Sequence, residues 1–187
     1  SRRTGASPGR LWSTPGNDGT YTIVFNGKAK LTDFQNYGVI TPQNADGTSG
    51  TYNSGSNTTT ATMTVSGTAQ ENFALIFTNT QRTSSSGTNT GISNVHVYRP
   101  TYEGSTTSYP VGSLFTTQTI AMAQKFSTTR FMDQFYTNNS LVTNWSDRNL
   151  PGFWHQSSFT HPLAYENAVA YCNAANTDMY VNIPLYA

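Results

Sequence analysis

Short runs in which every second residue is apolar fill the first half of the chain, and this periodicity restricts the fold most. Residues 20–25 place Tyr21, Ile23 and Phe25 at alternate positions. Residues 58–66 repeat the pattern, with threonine at most of the intervening positions. Successive side chains of a β-strand point to opposite faces of the sheet, so a period of two predicts strands with one buried face.

The same reasoning predicts four more strands in this half of the chain, over residues 28–34, 37–41, 73–78 and 92–98. Asn26 and Gly27 tolerate positive φ and therefore predict a tight hairpin turn, with 28–34 as the returning strand. Residues 73–78 are continuously apolar, which predicts a central strand buried on both faces. Residues 43–56 are rich in Gly, Asn, Ser and Thr and are predicted to form a loop.

The pattern changes after residue 113. Apolar spacing from Leu114 onward predicts a helix of about ten residues, and it is followed by a predicted strand (128–133), helix (162–175) and strand (179–185). We therefore predict an α+β protein, in which a jelly-roll-like antiparallel β-sandwich precedes βα units. The predicted divisions are a flexible basic arm (1–19, with Arg2, Arg3 and Arg10), the sandwich (20–99), a connector (100–113) and an α/β segment (114–187).

The composition excludes several classes of function. Charged residues make up 10% of the chain and aromatic residues 13%, which argues against intrinsic disorder. A net charge of +1 provides no field that recruits nucleic acid or an anionic membrane. A single cysteine, three scattered histidines and the absence of a glycine-rich phosphate loop predict no metal and no cofactor. No apolar run approaches the ~18 residues of a membrane span, so we expect no membrane insertion.

The segment 127–154 carries the candidate functional residues, because it combines two of the three tryptophans with amide and charged side chains. Aromatic rings pack against the C–H face of a sugar ring, while amides, carboxylates and guanidinium groups bind its hydroxyls. The predicted carbohydrate-binding residues are Asp133, Tyr136, Asn138, Asn139, Trp145, Arg148 and Trp154. Alternatively, the tryptophans fill a core and the asparagines cap turns.

A catalytic role is left open at this stage. Glycosidases use two carboxyl groups about 5–5.5 or 6.5–9.5 Å apart. Asp133 and Asp147 are the two acids within the candidate segment. Asp147 also precedes Arg148, which equally predicts a structural Asp–Arg pair. The sequence therefore assigns no catalytic residue.

Four segments of the second half carry a family resemblance. They read RFMDQFYTNNS (130–140), NWSDRNLP (144–151), YENAVAYCN (165–173) and DMYVNIP (178–184). Over roughly residues 97–187 the chain resembles secreted bacterial proteins related to glycoside hydrolases. In such proteins a β-rich domain precedes a (β/α)8 barrel, so the resemblance implies that 128–133 and 179–184 are the first two barrel strands. Gln134 departs from the family pattern, in which tryptophan often stands at this position.

The resemblance implies a secreted protein that binds a polysaccharide as the N-terminal part of a glycoside-hydrolase-like protein. Any hydrolysis would depend on carboxylates from later barrel strands, beyond the two implied here. Two bare strands expose an edge, which predicts self-association as a homo-oligomer. The alternative is a structural self-assembling β-rich protein, a capsid or extracellular filament subunit, which the basic arm and the Thr-rich composition also fit.

Overall fold

The computed structural model describes residues 17–34, 36–66, 74–153 and 156–183. The chain divides into two compact units, Ser1–Ser113 and Leu114–Ala187. Most of the predicted basic arm, including its three arginines, lies outside the described residues. Together the units form a strand-rich mixed protein with antiparallel sheets and two helices, in agreement with the predicted α+β class.

The described residues of the first unit form seven strands in two antiparallel sheets. In chain order they are β1 (Gly19–Asn26), β2 (Lys28–Asp33), β3 (Gly38–Thr41), β4 (Thr51–Asn53), β5 (Thr58–Val65), β6 (Leu75–Gln81) and β7 (Ser93–Tyr98). One sheet has the order β3-β5-β1-β7, and β4 also pairs with β5. The other sheet consists of β2 and β6.

Both sheets of the first unit contribute to one hydrophobic core. Burial alternates along β1 and β5, so the predicted period of two is confirmed in these strands. The fully buried core side chains include Ile23 and Phe25 from β1, Leu31 from β2 and Met63 from β5. Phe77 of β6 packs edge-on against Phe25, with 5.5 Å between ring centroids. Apolar burial between the two sheets therefore stabilises this unit.

The predicted hairpin at Asn26 and Gly27 is wrong, because the two strands that flank it do not pair. β1 pairs with β5 and β7, whereas β2 pairs with β6 in the other sheet. The chain changes sheet at Gly27, which is buried with φ +102° and donates its N–H to the Asn57 carbonyl (2.9 Å). Inward residues on both strands can then meet across the core, which a flat hairpin would prevent.

Two further expectations for this unit need correction. The run 73–78 is not a central strand buried on both faces: among the described residues β6 pairs with β2 alone, and it is only partly buried. The predicted loop 43–56 contains β4, a short edge strand.

Residues 100–113, predicted as a connector, pack on the first unit, where Tyr109 is buried and the Ser105 carbonyl accepts the Thr20 N–H (2.8 Å).

Over its described residues the second unit has two α-helices, α1 (Thr117–Ala123) and α2 (Tyr165–Ala175), and two strands, β8 (Thr128–Phe131) and β9 (Asp178–Val181). β8 and β9 pair in parallel, and α2 lies between them in sequence. The predicted order of strand, loop, helix and strand is confirmed. Phe131, Phe135, Ala168 and Cys172 form the buried core between these elements, so the single cysteine lies in a packed interior. None of the described helices is long and apolar enough to span a membrane.

Candidate functional site

The long loop between β8 and α2 begins at the carboxyl end of β8, where the chain after β9 also arrives. Thr137 donates its hydroxyl to the carbonyls of Met132 (3.0 Å) and Asn182 (3.1 Å). Arg130 Nε donates to Asn182 Oδ1 (3.0 Å). Parallel strands end at a common edge, so the polar residues that follow them are brought together. Asn182 is a site residue that the sequence interpretation missed, although it follows β9 much as Asp133 follows β8.

Among the described residues of this loop, Trp145 is the most exposed aromatic residue, with 66% of it accessible to solvent. It starts a short 3-10 helix, Trp145–Asp147. Its ring lies 5.5 Å from that of Tyr165 (centroid to centroid), and the Arg148 guanidinium carbon lies 4.3 Å from the Trp145 ring centroid. The ring is therefore fixed by an aromatic contact and a cation–π contact while much of it faces solvent.

Arg148 is held in place by an ion pair with α2. Its Nη2 lies 2.9 Å from Glu166 Oε1, and Glu166 is in the first turn of the helix. The pKa of the Glu166 carboxyl is lowered, first by its own backbone N–H and then by the hydrogen bond from Arg148. The Asp–Arg pair considered for Asp147 is not formed: Asp147 accepts from Asn144 Nδ2 (2.9 Å) and Ser146 Oγ (3.1 Å) instead. Asp147 therefore stabilises the turn that carries Trp145.

The remaining predicted residues lie near the start of the loop. Asp133 is exposed at the beginning of a short 3-10 helix, Asp133–Phe135, which is followed by Tyr136 with φ of +49°. Tyr136 packs edge-on against Phe159, with 4.9 Å between ring centroids. Asn138 and Asn139 are exposed in the following turn. Trp154 lies outside the described residues.

Phe135 and Tyr165 connect the two parts of the site. Phe135 is buried, and its ring centroid lies 4.4 Å from that of Tyr165, which in turn packs on Trp145. Sequence reasoning placed α2 correctly but did not include Tyr165 or Glu166 in the site. Their position at the first turn of a helix directly after an aromatic loop is the signal that points to them.

A small cavity of about 60 Å³ lies beside Trp145. Its lining consists of Phe135, Ser140, Val142, Asn144, Trp145, Arg148, Asn149, Pro162, Leu163 and Tyr165. An engineered cavity of about 150 Å³ accommodates benzene, so this one is too small for a whole sugar ring.

In the part of the chain that the structure describes, no group of three or more His, Cys, Asp or Glu side chains is arranged to hold a metal ion. Comparisons of the chain with protein-family models, with curated proteins and with solved structures give no match. A function for this protein is therefore inferred from the geometry of the site.

The ion pair predicts a pH-dependent change at Trp145. The folded protein lowers the pKa of Glu166 below its usual value of 4.5, so the ion pair is intact above that pH. It is lost as pH falls below 4.5 and through the folded pKa, because protonation removes the partner of Arg148. We expect tryptophan emission to change over this range in the wild type.

The matched control is Glu166→Gln, which keeps the shape of the side chain and cannot titrate. Its emission spectrum at neutral pH should already resemble that of the acidified wild type. Subtracting the two titration curves isolates Glu166 from other carboxylates such as Asp46, whose pKa is also lowered by hydrogen bonds from Lys28 and Thr48. Identical curves for the two proteins would show that the ion pair does not position Trp145.

Proposed function

We propose that this protein binds a polysaccharide through the loop between β8 and α2, with Trp145 as the principal contact. The observation that carries the proposal is a tryptophan residue that is two-thirds exposed while its ring is fixed by Tyr165 and Arg148. Contiguous exposed apolar surface marks sites that bind ligands or partners. A fixed ring loses little conformational entropy on binding, which favours recognition of a flat ligand.

The same loop supplies hydrogen-bonding groups of the kind that a sugar requires. Asn138 and Asn139 offer exposed amides, and Asp133 offers an exposed carboxylate near the start of the same loop. Planar amides and carboxylates bind adjacent sugar hydroxyls, while the ring covers the C–H face. These residue types support binding rather than a specific reaction, and no catalytic residue is proposed.

The wider setting is part of the same proposal. The two antiparallel sheets with a common core support a β-sandwich for the first unit. The parallel pair β8 and β9 with α2 between them supports the opening of a (β/α)8 barrel in the second unit. Such an arrangement fits the N-terminal part of a secreted glycoside-hydrolase-like protein.

Replacement of Trp145 by alanine should reduce polysaccharide retention by about tenfold or more. Stacking of an aromatic ring contributes about 1–3 kcal/mol in comparable recognition of flat ligands. Affinity gel electrophoresis against a panel of soluble polysaccharides measures the retention. Trp145→Phe, which keeps a smaller ring, should lose less than Trp145→Ala.

Phe126→Ala is the matched control for these variants. Phe126 belongs to the same unit, is 60% exposed and does not line the cavity. It should retain the wild-type mobility on every polysaccharide. Unchanged retention of Trp145→Ala, or equal losses in Trp145→Ala and Phe126→Ala, would contradict the proposed site.

A second candidate function is assembly into a structural β-rich protein. It is favoured by the number of exposed apolar side chains in the second unit, including Leu114, Met122, Leu141, Tyr180 and Ile183. Among the described residues β8 and β9 also pair only with each other, which leaves strand edges that another copy can extend. Ordered assemblies in electron micrographs of the purified protein without glycan would favour this function over polysaccharide binding.

A further inference from the structure

The cavity beside Trp145 has a size that corresponds to a small chemical group. Its volume of about 60 Å³ is several times the ~10–15 Å³ that a cavity needs to hold one water molecule. Asn144 and Trp145 line it and are exposed, so the cavity lies at the protein surface. Native interiors leave few voids larger than a water molecule. A cavity of this size next to the candidate binding ring therefore calls for a functional explanation.

The lining of the cavity favours an apolar group. Its walls include Phe135, Val142 and Leu163 together with the rings of Trp145 and Tyr165. A methyl group buried against such walls gains hydrophobic free energy, whereas a hydroxyl group loses its water and meets mainly apolar atoms there.

Several polar groups of the lining are engaged in hydrogen bonds within the protein, whereas the buried Arg148 Nε has no hydrogen-bond partner among the described residues. Asn149 Nδ2 donates to the Pro162 carbonyl (2.9 Å), and Asn144 Nδ2 donates to Asp147 Oδ2 (2.9 Å). Arg148 Nη2 donates to Glu166 (2.9 Å). A hydroxyl that entered the cavity could accept a hydrogen bond from Arg148 Nε, but most of the walls around it would be apolar, so the lining favours a methyl group.

We infer that the site selects glycans that carry a methyl-bearing substituent, such as an acetyl group or a 6-deoxy carbon, which enters this cavity while the sugar ring covers Trp145. This inference rests on the proposed function, because the substituent reaches the cavity only if its ring binds at Trp145. The cavity would bind the methyl group itself, and acetylated sugars and 6-deoxy sugars are the two classes of glycan that can provide it.

Calorimetric titration of the wild-type protein with matched sugar pairs tests the inference. One pair is tetra-N-acetylchitotetraose and cellotetraose, which differ in an acetamido or a hydroxyl group at C2. The other pair is L-fucose and L-galactose, which differ in a methyl or a hydroxymethyl group at C5. We expect the methyl-bearing member of at least one pair to bind about tenfold more tightly or better, as for one extra methyl group in an apolar pocket. The pair that shows the preference identifies the source.

The outcomes separate this inference from the proposed function. Equal affinity within both pairs overturns the methyl preference and leaves polysaccharide binding intact. The absence of binding to all four sugars overturns the inference, while the affinity-gel panel of polysaccharides decides the proposed function separately. Tighter binding of the hydroxyl-bearing members overturns the inference as well, because the cavity would then accept a polar group.

Variants that fill the cavity test whether the preference for methyl-bearing sugars arises there. Val142→Phe should abolish the tenfold preference while the hydroxyl-bearing sugar keeps its affinity. Val142→Ala enlarges the cavity and should retain the preference. If Val142→Phe does not fold, as judged by circular dichroism, Val142→Leu takes its place and should reduce the preference. A full preference in the filled variant would overturn the assignment to this cavity.

Discussion

Replacement of Phe135 by alanine should lower the free energy of unfolding of the second unit by about 3–5 kcal/mol, the usual cost of truncating a buried phenylalanine. Phe135 is 1% exposed and packs between Phe131 and Tyr165, with ring-centroid distances of 5.7 and 4.4 Å. The loss approaches the whole stability of a small domain. Because Tyr165 supports Trp145, the variant should also lose polysaccharide retention. Urea unfolding followed by near-UV circular dichroism measures the change.

The control for this prediction is Phe126→Ala, an identical substitution at an exposed position of the same unit. It should change the unfolding free energy by less than about 0.5 kcal/mol. A loss below about 1 kcal/mol for Phe135→Ala would show that the aromatic cluster of the second unit is not a tightly packed core.

The second large effect is expected at Gly27, where the chain passes between the sheets. A Cβ atom at this position would collide with the backbone carbonyl oxygen of Gln81, and φ of +102° is unfavourable for any residue with a side chain. Backbone strain of about 1–3 kcal/mol and overpacking of about 1–3 kcal/mol add to a loss of roughly 4 kcal/mol for Gly27→Ala. Thermal unfolding of the first unit measures this loss.

Gly47→Ala separates the two contributions. Gly47 also has positive φ (+78°), but its added Cβ would meet no atom within 4 Å. It should therefore show only the cost of the left-handed conformation, about 1–2 kcal/mol. Equal losses in the two variants would mean that contact with Gln81 adds nothing at Gly27, and that the sheet crossing accommodates a side chain.

The error at Asn26 and Gly27 shows where local sequence signals end. This dipeptide is a strong hairpin signal because it tolerates positive φ, and Gly27 does have positive φ. The signal correctly identifies the backbone conformation but not the partner of the next strand. β2 pairs instead with β6, more than forty residues further along the chain. Strand pairing at such distances depends on burial of both inward faces, which no local motif encodes.

The run at residues 73–78 illustrates a related limit. Continuous apolar residues predict burial on both faces, but such a run reports hydrophobicity and not the number of layers that cover the strand. Ile76 on β6 is 36% exposed, since β2 is the only strand that pairs with β6 among the described residues. The amount of burial is decided by the neighbours that the fold supplies.

The sequence indicates Trp145 and Arg148 as candidate site residues, but it does not indicate the residues that hold them in place. Trp145 and Arg148 are recognisable because aromatic and guanidinium groups in a polar loop suggest sugar binding. Tyr165 and Glu166 lie about twenty residues further on, at the start of a helix with an ordinary pattern. Their contacts with Trp145 and Arg148 exist only once α2 packs beside the loop.

The amino-acid sequence by itself determined the period of two in β1 and β5, the change of pattern after residue 113 and the strand–loop–helix–strand order of the second unit. These features follow from side-chain geometry within a few residues. Tertiary structure decided that β1 and β2 belong to different sheets, that Arg148 pairs with Glu166 instead of Asp147, and that a small apolar cavity lies beside Trp145. Each of these depends on contacts between distant segments, which form only where burial of apolar surface outweighs the entropy of closing the intervening chain.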